Sequence, residues 1–138
     1  MSNIVQTQAT SFKKELYEAI HNLSTDVLKI ALYTANADLN ESTTVYSTSN
    51  EVAGTGYVSG GVAMTGATIN SSGYTAYVDF ADVVFGAAVT ARCALIYNSS
   101  KANRAIAVLD FGSDKTSATF TITMPSNNAN SALIRSSN

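Results

Sequence analysis

The chain of 138 residues has no tryptophan, one cysteine, one histidine and one proline, and charged residues make up only 13% of it. Each shortage excludes something. The lone Cys93 cannot close an internal disulfide, so the domain must hold itself together by its core, which a chain of this length is able to bury. Its neighbours Ala94, Leu95 and Ile96 give it the setting of a small buried hydrophobe rather than a reactive thiol. The lone His21 has no second His or Cys with which to share a metal, and no G-x-S-x-G elbow accompanies it. Eight basic residues against ten acidic ones leave no electrostatic footprint for nucleic acid or anionic lipid. No apolar run approaches membrane-spanning length, and Met1–Thr10 lacks the basic and apolar regions of a signal peptide. That fits a chain made in a cytoplasm and remaining soluble.

Carboxylate chemistry is equally sparse. A glycosidase needs two facing carboxylates in a cleft lined by aromatic rings. The only candidate pairs are Asp79 with Asp82 and Asp110 with Asp114, at strand ends where turns commonly use Asp. No EF-hand spacing is present. Gly54-Thr55-Gly56 and Gly60-Gly61 lack the lysine and the following helix of a phosphate loop, so they read as turns and a bulge. No catalytic residue, cofactor, metal or small-molecule substrate is assigned, and the chain reads as a non-enzyme.

What is present is a polar, weakly charged surface of Ser, Thr, Asn and Gly around an apolar 46%. The organising stretch is Arg92–Gly112. Its apolar runs Cys93–Tyr97 and Ala105–Phe111 do not alternate, which suits central strands covered on both faces, with Asn98–Arg104 as the loop between them. Met1–Thr10 reads as an extended arm, either frayed or docked on a neighbouring subunit through Ile4 and Val5. Residues 11–138 read as one domain. Thr10 or Ser11 supplies an N-cap, and a helix over Ser11–Asn22 carries Phe12, Leu16, Ala19, Ile20 and Leu23 on one face. His21 then falls at a solvated helix end.

Strands are predicted at Val27–Tyr33, Val62–Thr68, Tyr74–Phe80, Val83–Phe85, Phe120–Met124 and Ala132–Arg135, besides the central pair, with turns at Asn70–Gly73 and Ser113–Lys115. Val45 and Tyr46 add a short edge. The fold class is mainly β (α+β): an N-terminal amphipathic helix packed on an antiparallel β-sandwich or jelly-roll-like barrel of about seven or eight short strands. Among the seven tyrosines, Tyr46, Tyr57 and Tyr74 lie in weakly charged loop segments and suit either a contact surface or the rim of the core.

The segments H-N-L-S-T-D-V-L-K-I-A-L-Y (His21–Tyr33), A-D-L-N…T-T-V-Y (Ala37–Tyr46), N-E-V-A-G-T-G-Y-V-S-G-G (Asn50–Gly61) and L-I-Y-N-S-S-K-A-N-R-A-I-A-V-L-D-F-G-S (Leu95–Ser113) form a series. In that order, over roughly Phe12 to Ile134, the chain resembles small virion structural proteins of tailed bacteriophages. The resemblance implies a capsid decoration (cement) protein on the virion's capsid surface, binding the major capsid protein of the head, as a homo-oligomer and most simply a homotrimer. Ile4, Val5, Tyr46 and Tyr57 are the expected partner contacts. Two other readings stay open, a neck or tail component of the particle and a carbohydrate-binding β-sandwich module.

Overall fold

The computed structural model describes residues 3–137; Met1, Ser2 and Asn138 lie outside the described residues. In chain order come β1 (Asn3–Ile4), β2 (Thr7–Gln8), α1 (Thr10–Tyr17), β3 (Leu28–Tyr33), β4 (Asp38–Leu39) and β5 (Val62–Ala63). There follow β6 (Thr68–Ser72), β7 (Thr75–Asp79), β8 (Val83–Phe85), β9 (Val89–Asn98), β10 (Arg104–Ser117), β11 (Phe120–Ile122) and β12 (Ile134–Ser136). The molecule is mostly β with one short helix and antiparallel sheets, consistent with a helix packed on a β-sandwich. The excess over the predicted number of strands comes from the two-residue pairings β1, β2 and β4, too short to carry a periodic signal, and from β6; the strand predicted at Val62–Thr68 shortens to the two-residue β5.

The main sheet has the order β2-β10-β9-β3-β5, and the predicted central runs form β9 and β10 at its middle. Leu95, Ile96, Ile106 and Val108 are all buried there. Each such side chain stabilises the fold by about 1.5–3 kcal/mol relative to exposure. Ala102 and Asn103 take positive φ in the connecting turn, and Asn98 Oδ1 accepts the Ser100 N–H at 3.0 Å to brace it. A three-stranded sheet β12-β7-β6 and the pair β11-β8 complete the β-structure, and β1 runs parallel to β4.

Several expectations need correction. The helix ends at Tyr17, not Asn22. Ala19 adopts φ 59°, the Ile20 N–H returns to the Glu15 carbonyl and the Ala19 N–H to that of Leu16. This is a Schellman stop with alanine where glycine is usual, so no breaker marked it in the sequence. Its N-cap is Ala9, which makes no side-chain cap bond, rather than Thr10 or Ser11. Phe12 is the buried anchor of α1, whereas Leu16, one turn on and next to the last residue of the short helix, is 39% exposed. The turn expected at Asn70–Gly73 is mostly strand: β6 is exposed along its whole length and shows no alternation. The turn expected at Ser113–Lys115 lies inside β10, where a register shift between Asp110 and Lys115 absorbs the extra residues. The segment 3–8 is tied to its own chain, through β1 on β4 and β2 on β10.

Candidate functional site

The glycine-rich segment Asn50–Gly61 folds along β3 and centres on Glu51. Asn50 sits at φ 64°; its carbonyl accepts the Thr34 N–H at 2.9 Å, and the Val52 N–H reaches the Leu32 carbonyl at 3.0 Å. Tight turns then close Gly54 to Tyr57 and Val58 to Gly61. Gly61, at φ 82°, passes so close to β3 that a Cβ would stand 1.9 Å from the Ile30 carbonyl oxygen. No other residue fits there.

These turns aim four donors at one carboxylate. Glu51 Oε1 accepts the Tyr46 hydroxyl at 2.6 Å and the Ser59 hydroxyl at 3.1 Å. Its Oε2 accepts the Tyr57 hydroxyl at 2.6 Å and the Gly60 N–H at 2.9 Å. The Tyr57 hydroxyl in turn accepts the Leu32 backbone N–H at 3.0 Å, which links the carboxylate to β3. Tyr97 donates to the Gly60 carbonyl at 2.6 Å, and its ring stacks on that of Tyr46 with centroids 4.6 Å apart. Burial and the nearby Glu51 push the Tyr57 hydroxyl far above its ordinary range, and burial with the neighbouring Tyr46 and Glu51 holds Tyr97 up to about 12. These phenols stay protonated as donors. A carboxylate with its lone pairs so occupied is a clasp, not a base or a metal ligand.

A second polar cluster joins α1 to the main sheet. The His21 side chain is fully buried, correcting the solvated position expected of it. Asn98 Nδ2 donates to Asp26 Oδ2 at 2.8 Å and to His21 Nδ1 at 2.9 Å. His21 Nε2 therefore carries the proton and donates to Glu15 Oε1 at 2.8 Å. Glu15 also receives Arg104, and Lys101 pairs with Asp26 at 2.9 Å. Burial pushes the Asp26 carboxyl up, but the Asn22 N–H, the Asn98 amide and the Lys101 ammonium outweigh it and leave it at about 2.

Three of the four aspartates in the two sequence pairs are spent on backbone. Asp79 accepts the Phe80 N–H at 2.9 Å, Asp82 accepts the Met124 N–H at 2.7 Å, and Asp110 accepts the Gly112 N–H at 2.8 Å while facing Arg92. Among the described residues no group of three His, Cys, Asp or Glu is placed to hold a metal. Cys93 is fully buried, with its thiol pushed up to about 12 by burial and by Asp110.

The four expected partner contacts are not brought together as a surface. Tyr46 and Tyr57 face inward on Glu51, Ile4 packs against the core, and Val5 is 39% exposed with its N–H on the Leu39 carbonyl. The exposed tyrosines are Tyr17 and Tyr74. Glu51 was missed as the organising residue; the available signal was an acid spaced five and six residues from two tyrosines inside a glycine-rich loop. Compared with known proteins, the chain matches no family model, no curated protein and no solved structure. Among the described residues no helix is long and apolar enough to cross a membrane.

Proposed function

We propose that the chain is a non-enzymatic structural protein of a tailed-phage virion, a capsid decoration (cement) protein that binds the assembled head and strengthens it. The observation that carries this reading is where the resembling segments lie. Asn50–Gly61 is the Glu51 clasp, and Leu95–Ser113 is the central strand pair with its turn. The shared residues therefore build a rigid frame, as a load-carrying part requires, and their polar groups are consumed within it. A surface rich in uncharged polar side chains also costs less to desolvate against another protein than a charged one.

On this reading the working form is a homotrimer repeated over the shell, attached to the major capsid protein by protein–protein contacts that reinforce one another. Tyr46 and Tyr57 spend their hydroxyls on Glu51, which favours a contact surface built from other residues. The same engagement weakens the sugar-binding alternative, which needs exposed rings; a glycan array should give no binding. The direct test is a phage deleted for this chain. Its particles are expected to assemble yet rupture at lower temperature or under milder osmotic shock. Deletion particles as robust as wild type would contradict the cement role.

A further inference from the structure

At the margin of the main sheet opposite β5 lies a cleft of about 850 Å³. Its walls are strand edges from three sheets: β2 and β10, all of β11, and Arg135 of β12. β11 is paired on one side only, with β8. β10 is paired with β9 from Arg104 to Ser117, but with β2 at Ala107 and Val108 alone. Beyond Val108, no backbone group among the described residues meets the outer edge of β10.

Two side-chain amides stand in for a strand. Gln6 Oε1 accepts the Asp110 backbone N–H at 3.1 Å, and Gln8 Nε2 donates to the Arg135 carbonyl at 3.3 Å. A main-chain donor of one sheet and a main-chain acceptor of another are thus held by glutamine side chains, which an incoming backbone is able to displace. Such an edge is a template for an added strand. The floor is apolar: Leu109 and Phe111 lie beside Phe120, whose ring centroid is 5.8 Å from that of Phe111. Charge points the same way. Lys115 and Arg135 line the cleft, no Asp or Glu does, and neither cation pairs with a carboxylate among the described residues of a chain whose net charge is −2.

We infer that this cleft receives an extended, acidic segment of a partner protein, added as a strand on the free edge of β10. Alternate apolar side chains of that segment pack on Leu109, Phe111 and Phe120, and its carboxylates sit opposite Lys115 and Arg135. A helix would leave the edge unpaired, and a small anion would use the cations but not the edge. The inference stands on the cleft alone and holds whether or not the chain belongs to a virion.

The test is selection of random displayed peptides of about twelve residues, long enough to run the edge at about 3.3 Å per residue, on the purified full chain. Enriched sequences should alternate apolar with polar residues and carry an excess of Asp and Glu. Binding should fall at least about tenfold with the double variant Lys115→Glu, Arg135→Glu, whose melting temperature shows it folded. It should fall as much when alternate residues of the peptide are N-methylated, a change that leaves the protein untouched. No enrichment, enrichment of basic or helix-forming peptides, or binding that survives both changes would overturn the inference. If the double variant instead converts an oligomer of the free chain to monomer by sedimentation, a second copy occupies the cleft and the partner assignment is wrong.

Discussion

The main sheet is finished differently at its two margins. Beside β3 the chain covers its own edge: Val52 bonds Leu32, Gly61 presses on Ile30, Met64 bonds Leu28, and Glu51 clasps the covering loop with four donors. Beside β10 the backbone of Thr44, Ala9 and β2 covers the edge only as far as Val108, and beyond it stand glutamine side chains. The backbone groups needing partners are the same kind at both margins. The first margin is built to stay shut, and the second is left for something else to finish.

The anchor of the helix nearest the open margin gives the largest expected effect. Phe12→Ala should cost about 3–5 kcal/mol, since the ring is fully buried. Leu16→Ala, at a 39% exposed site, should cost under about 1 kcal/mol. Urea titration of both variants reads the contrast, and equal losses would mean that α1 docks through a different face.

Opening the sealed margin comes next. Glu51→Ala strands two tyrosine hydroxyls and the Gly60 N–H, and should lower stability by about 2–4 kcal/mol. A change within half a kcal/mol of zero, about the size of an ordinary surface substitution, would show that the clasp does not hold the loop.

Acid should loosen the adjoining corner. The Asp26 carboxyl falls from 3.8 in an unperturbed setting to about 2 in the fold. Its stabilising contribution is therefore complete above 3.8 and lost as pH drops toward 2. Melting temperatures followed through that window should decline less steeply for Asp26→Asn than for wild type; parallel slopes would remove Asp26 as the cause.

The smallest effect belongs to the open margin. Gln6→Ala with Gln8→Ala should shift stability by no more than about 0.5 kcal/mol, because both amides bond at exposed positions. A loss as large as that of Glu51→Ala would make the two margins equivalent and end the comparison.

The central strands were legible in sequence because their unbroken apolar runs have no other home than between two covered faces, and Cys93 was placed correctly by the same run. The strand at β7 was legible but its buried face was not: Tyr74 and Ala76 are exposed, whereas Asp79 is buried beside Val78. The end of α1 was not: Ile20 and Leu23 continue the apolar period past a stop made by alanine in a left-handed conformation. β6 was invisible because nothing on it is buried. The Glu51 clasp is local, its donors five to nine residues away, and its spacing was overlooked. The other polar cluster escaped because it joins residues far apart in the chain, Asn98 to His21 and Asp26. Local spacing has no means of reporting such pairings. The two glutamines of the N-terminal segment carried no signal at all until the edges they touch were in view.

The virion reading is tested most directly by where the chain sits in the particle. Purified virions would be disrupted, heads separated from tails, and each fraction quantified by mass spectrometry against the major capsid protein. The account predicts that the chain stays with the heads at a constant ratio to that protein. Recovery with detached tails would move it to the tail alternative, and absence from washed particles would contradict a structural role altogether.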